Sequence, residues 1–201
     1  MSETLEQIKT ALSGCRLCET RFAATATGHR PNPVVWFDQG ARILVAGQAP
    51  GIRVHEVGKP FFDQSGDRLR AWMGVSADQF YDRSIVAALP MAFCFPGYDA
   101  KGADLPPPPL CRATWHDRIM TAMGGFDLIL LIGGYAQKYH LGPAANGGVT
   151  RTVAGWRDHA PLVFPLPHPS WRNTAWLRKN PWFDSELLPQ LRTRVQEVIH
   201  G

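Results

Sequence analysis

Four short apolar runs constrain this chain most. They are the segments RILVA at 42–46, SIVAALP at 84–90, FDLILLIGG at 126–134 and PLVFPLPHPS at 161–170. The first is too brief for a helix, and none keeps the strict polar–apolar alternation of a half-solvated strand. Such runs fit strands buried on both faces of a parallel sheet. Helical patterns fall between and around them. Residues 5–12 read as a helix leading into CRLC. SGDRLRAWMGV starts at a candidate serine cap, Ser65, and places Leu69 and Trp72 on one face. Residues 114–123 read as helical, and YAQKYHLG as a helix closed by glycine. A terminal helix over 180–200 is expected to be interrupted near Pro189. Strands alternating with helices predict a fold of the α/β class, with a central, mainly parallel sheet covered on both faces. With 201 residues and no composition break or repeat, a single domain over 1–201 is expected.

Two of these runs end in unusual turns. The first stops in Gly47, Gln48, Ala49, Pro50 and Gly51, and the last in Pro167, His168, Pro169 and Ser170. Proline fixes one backbone angle, and glycine allows angles that a Cβ forbids. A strand that ends this way presents backbone to a ligand. In open α/β sheets ligands collect beyond the carboxyl ends of the strands, so both turns should face one cleft.

The formal charge of +4 favours an anionic partner without specifying one. No basic segment followed by an apolar core opens the chain, and no apolar run approaches the roughly 20 residues of a membrane span. The expected location is the cytoplasm, with no membrane partner. There the four cysteines should be thiols or metal ligands rather than disulfides. Cys15 and Cys18 form a C-x-x-C pair, and Cys94 and Cys111 bracket a proline-rich loop. That loop has few large apolar residues, so a metal staple would help to hold it. Four soft thiolates suit an iron–sulfur cluster or zinc, and ligand type alone does not separate the two.

The motifs GQAPGIRVHEVGKPFFDQSGDRL, LLIGGYAQKYHLG and PLPHPSWRN, in this order with the cysteine pairs, resemble the uracil-DNA glycosylase superfamily. Within it they resemble the iron–sulfur branch called family 4, as a divergent subgroup. The resemblance covers nearly the whole chain. It implies a three-layer α/β/α fold with a four-stranded, mainly parallel sheet. It implies a 4Fe–4S cluster on Cys15, Cys18, Cys94 and Cys111, structural rather than catalytic, with zinc as the lesser alternative. It also implies a partner, DNA containing a deaminated base, and no obligate protein partner.

The implied reaction is hydrolysis of the bond between that base and its deoxyribose, with uracil the first-ranked base. The enzyme must extrude the nucleotide into a pocket. As the bond breaks, negative charge grows on the base and positive charge on the sugar, so donors must already be in place. By resemblance, His168 hydrogen-bonds a carbonyl oxygen of the departing base. Phe61, rather than Phe62, stacks on that base. Gly47, Gln48, Ala49, Pro50 and Gly51 line the pocket, and Ser170 belongs to the same site. Trp171 is the candidate wedge in the minor groove. Arg172, Arg178 and Lys179 are candidates for phosphate contacts.

Two departures from that family qualify the match. Family 4 members carry acidic residues just after the G-x-x-P-G turn, where this chain has Val54 and His55. The nearby polar groups ranked to replace them are Asp63, then His55, then Glu56. Relatives also place an asparagine before the third cysteine to read the uracil edge. The aligned residues here, Leu89, Pro90, Met91, Ala92 and Phe93, include no amide side chain. Such a site should discriminate less sharply. Hypoxanthine and xanthine are therefore alternative substrates. A catalytically weak or inactive protein that binds damaged or single-stranded DNA is the alternative function.

Overall fold

The structure, a computed structural model, describes residues 3–201. The elements run α1 (Leu5–Ser13), α2 (Glu19–Ala23), β1 (Ile43–Ala46), α3 (Ile52–Val57), α4 (Gln64–Met73), α5 (Ala77–Tyr81) and β2 (Val86–Ala88). They continue with α6 (Pro109–Met123), β3 (Leu128–Ile132), α7 (Gly133–Leu141), α8 (Gly148–Ala154), β4 (Val163–Leu166), α9 (Thr174–Lys179) and α10 (Leu188–His200). The four apolar runs become four strands in the order β2-β1-β3-β4, and every pairing is parallel. Pro165 sits inside β4. A proline cannot donate to a ladder, and β4 tolerates it because it lies at the sheet edge.

Side chains on a strand point alternately to opposite faces. Ile43 and Val45 of β1 therefore enter one core with Leu128, Leu130, Phe164 and Leu166. Leu44 and Ala46 enter the other with Ala87 and Leu131. The first core is closed by Leu69, Trp72 and Met73 of α4 and by Leu188, Leu191, Val195 and Val198 of α10. The second is closed by Leu5, Ile8 and Leu12 of α1 and by Trp115, Ile119 and Met123 of α6. Each large apolar side chain buried this way contributes about 1.5–3 kcal/mol. The result is a three-layer α/β/α arrangement in which both faces of the sheet are dry.

Several boundaries differ from those the sequence suggests. Asp63, not Ser65, caps α4, and its carboxylate accepts from the Gly66 amide at 3.0 Å and the Ser65 hydroxyl at 2.5 Å. A carboxylate two residues earlier takes the free amide and uses the serine as a second donor. Helix α6 begins at Pro109, five residues before the 114 suggested by the sequence, so Cys111 lies in its first turn. Proline lacks only an N–H that the first turn does not need, so the proline run starts the helix instead of delaying it. The short helix α3, ended by the left-handed Gly58, has no counterpart among the elements the sequence suggests. Near Pro189 the expected interruption is a π-helical turn over Phe183–Leu187, after which α10 starts. No helix among the described residues is long and apolar enough to cross a membrane.

Two histidines are held inside the second layer. His116 on α6 bonds the Pro90 carbonyl through Nε2 at 2.7 Å, and burial lowers its pKa. Burial, reinforced by His116, lowers that of His140 on α7 to about 4. Both are neutral when folded and take up protons on unfolding once pH falls below about 6.5. Their stabilisation is intact above pH 6.5 and is lost as pH falls through that value towards the lower folded pKa values. Thermal unfolding followed by circular dichroism should give a lower midpoint at pH 5 than at pH 7. His140→Leu should flatten that dependence, and an unchanged slope in the variant contradicts the assignment.

Candidate functional site

The turns that follow β1, β2 and β4 meet at the carboxyl edge of the sheet around a cavity of about 150 Å³. Gly47, Gln48, Ala49, Pro50 and Gly51 form one wall, and Phe61, Asp63 and His168 face it from other segments. Its floor is apolar and buried, made by Val34, Val45 and Ala88. Pro90, at the position where the sequence lacks an amide, contributes a further apolar wall.

His168 is oriented by its own turn. The Ser170 backbone amide donates to Nδ1 at 3.1 Å. That fixes the neutral tautomer with the proton on Nε2, so the ring has one remaining donor. The His168 carbonyl accepts from the Asn173 side chain at 2.7 Å, and Ser170 Oγ caps the next turn by accepting from the Arg172 amide. Burial pushes the imidazole pKa below its usual value, partly offset by the charges of Asp63 and Asp104. The ring is therefore neutral at pH 7, with its Nε2–H free to donate.

Phe61 is held in a left-handed backbone conformation, φ 52°, which a bulky residue adopts only under constraint. Its carbonyl accepts from the Tyr81 hydroxyl at 3.1 Å, with the Arg70 guanidinium at 3.5 Å. The same oxygen sits against Gly66, where a Cβ would lie 1.7 Å from it. The ring meets Phe80 edge-on, with centroids 6.1 Å apart. Phe62 points outward and is 48% exposed, so of the two phenylalanines Phe61 is the one at the cavity.

Helix α4 ties the two halves together. It starts at the Asp63 cap beside Phe61, and its Arg68 donates to the Ser170 carbonyl at 3.0 Å. His55 and Glu56 lie off the cavity. On α3 successive side chains turn by about 100°, and Val54 is the one that reaches the lining. His55 packs edge-on against His29, and Glu56 faces solvent. Trp171 stands 70% exposed beyond His168, with Arg172 beside its ring at 5.9 Å. Arg178 and Lys179 are exposed in the last turn of α9.

Two features are absent from the residues singled out by sequence. Asp104, from the loop between Cys94 and Cys111, lines the cavity while remaining exposed to solvent. Its only local signal is the turn-forming composition of DAKGAD. Gln48 and His168 also border an open groove of about 570 Å³ that Lys138, Thr150, Asn173 and Trp176 line. No carboxylate lines that groove among the described residues.

All four cysteines are free thiols around one small hollow under Leu12, Phe22 and Trp115. Cys94 and Cys111 are buried, and desolvation pushes both pKa values up to about 12. The Phe93 amide points at Cys111 Sγ, 3.4 Å away. Buried thiols such as Cys94 and Cys111 ionise readily only beside a compensating positive charge, and an amide-to-sulfur bond favours the thiolate form. Among the described residues no three His, Cys, Asp or Glu side chains stand close enough to hold a metal ion. A single zinc needs sulfurs about 2.3 Å from one centre, whereas a four-iron cluster spreads its ligands over four metals. Four cysteines are a soft donor set that suits either group by ligand type.

Gly66→Ala should cost at least about 2 kcal/mol in urea unfolding, because the Phe61 carbonyl has no room to retreat. Tyr81→Phe should cost about 1 kcal/mol, the net value of one hydrogen bond. A neutral Gly66→Ala would show that this backbone is not constrained as described.

Comparison with known protein families matches residues 35–192 of the chain to the family described as "Uracil DNA glycosylase superfamily".

Proposed function

The chain belongs to the uracil-DNA glycosylase superfamily, and from that premise we propose that it hydrolyses the N-glycosidic bond of a deaminated base, uracil first, after the nucleotide swings out of DNA. The observation that carries this is the convergence of Phe61, Gln48 and His168 on one cavity at the carboxyl edge of the sheet. A planar base would enter against the Phe61 ring, which gives contact area at small entropic cost. Gln48 and the backbone of its turn would supply amide contacts. The His168 Nε2–H would donate to a base carbonyl as the departing base gains charge. A donor aligned beforehand is worth about 2.7–4 kcal/mol in such a step. Asp63 and Asp104 supply the negative field that a positive sugar needs.

Trp171 is exposed as a wedge must be, and would fill the space that the extruded base leaves. Arg172, Arg178 and Lys179 would contact phosphates and make binding salt-dependent. Cys15, Cys18, Cys94 and Cys111 would hold a 4Fe–4S cluster. That group supplies no step of the hydrolysis; it staples α1, α6 and the segment near Cys94. His55 and Glu56 do not line the cavity, so in this reaction they would take no direct part. The apolar wall at Pro90 supports broader base selection than a site with an edge-reading amide.

Oligonucleotides carrying uracil, hypoxanthine or xanthine, followed by alkaline cleavage of abasic sites, test the reaction. Release of at least one base above a buffer control is expected. Tight binding without release would favour the non-catalytic DNA-binding alternative. His168→Ala should lower single-turnover release at least about tenfold while leaving DNA affinity nearly unchanged. Equal losses in rate and affinity would assign His168 to binding instead. Purified protein should be brown, with broad absorbance near 400 nm and about four irons per chain, and Cys94→Ser should lose that colour. Stoichiometric zinc in a colourless preparation would replace the cluster.

A further inference from the structure

We propose that Asp104 is the carboxylate that activates the attacking water, a catalytic role moved from the turn after β1 to the hairpin between Cys94 and Cys111. This rests on the glycosylase reading above and assigns a residue that the family's motifs do not.

The geometry begins with depth. The cavity floor is buried and apolar, so the base occupies the inside and its C1′ atom stays at the rim. The oxocarbenium-like sugar and its water therefore form at the rim. The Asp104 residue is solvent-exposed and still lines the cavity. It takes part in no ion pair among the described residues. Its charge is felt by His168. Asp63, the other carboxylate of the lining, accepts the Gly66 amide and the Ser65 hydroxyl on Oδ1, which ties it to the start of α4, whereas Asp104 carries no such tie among the described residues. The family's own acidic positions hold Val54, which is part of the apolar lining, and His55, which lies off it.

The hairpin that carries Asp104 is built to hold a position. The Leu105 amide donates to the Gly97 carbonyl at 2.9 Å, and Tyr98 bridges Asp104 across the ladder. Asp99 closes the tip, its carboxylate accepting from the Lys101 and Ala103 amides at 2.8 and 2.9 Å. At the base, Gly97 has φ 97° and lies against Thr25, where a Cβ would come within 2.8 Å. Only glycine meets both demands.

The step balances without a further reagent. The C1′–N bond breaks, and its electron pair leaves with the base, where the His168 Nε2–H meets the charge. The water oxygen bonds to C1′ while Asp104 takes one water proton. That proton passes to the released base or to solvent, giving the free base and an abasic deoxyribose.

Single-turnover release by wild type, Asp104→Asn and Asp63→Asn, each with enzyme in excess, tests the role. Asp104→Asn should slow release by about a hundredfold or more, as loss of a general base does. Its affinity for an oligonucleotide carrying 2′-fluoro-2′-deoxyuridine, which resists hydrolysis, should not change. Formate should partly rescue Asp104→Ala. A wild-type rate in Asp104→Asn, with loss in Asp63→Asn, overturns the proposal in favour of Asp63. No release by wild type from any of the three bases overturns the glycosylase reading and this role with it. A second measurement isolates the placement. In an NMR titration, Asp104→Asn should lower the His168 pKa, because a nearby negative charge is lost. An unchanged His168 titration shows that Asp104 does not face the ring and overturns the proposal whatever the rates.

Discussion

Everything at the site depends on β1 and β4 pairing in parallel with β3 between them. Parallel pairing sends the carboxyl ends of all strands to one edge. The turn after β1 and the turn after β4 are far apart in sequence, yet they open on the same cavity. The strands are held in register by side chains buried on both faces. A slip of one residue would exchange the two faces and expel both cores. Packing therefore fixes the distance between Gln48 and His168 more firmly than any contact between them does.

Helix α4 acts as a brace on that frame. Asp63 starts it, and Phe61 precedes that cap in a left-handed conformation. Gly66 gives the Phe61 carbonyl room, and Tyr81 and Arg70 hold that oxygen. One turn later Arg68 grips the Ser170 carbonyl, next to the amide that orients His168. The Phe61 and His168 rings are thus set by one element. The cost of the unfavourable angle at Phe61 is offset by the bonds around it, the usual arrangement where backbone strain persists.

The cysteine hollow and the cavity share their walls. Pro90 and Pro96 line the cavity, while Ala92, Phe93 and Cys94 between them line the hollow. On the other side Val34 faces the cavity, and Pro31 and Pro33 face the hollow. The metal group proposed for the four cysteines would brace the segment that runs from Pro90 to Pro96 through Cys94. Such a group would then shape the cavity without taking a chemical step.

The strands, the parallel sheet, and the turns at Gly47 and His168 were legible in the sequence because each is encoded by neighbouring residues. Apolar runs without alternation, and glycine and proline at fixed offsets, carry those signals locally. The pairing of Phe61 with His168 was legible through family resemblance. Other facts were not local. Helical winding of α3 turns His55 and Glu56 away from the cavity, and the sequence alone ranked both as candidates. Asp63 is engaged as a cap, a role that depends on where α4 begins. Asp104 reaches the rim because Gly97 seats its hairpin on Thr25. The sequence by itself determined which segments form the sheet and which turns end it. Only the tertiary structure brought Asp104 to the cavity beside Asp63, because that depends on the packing of segments that carry no sign of one another in the chain.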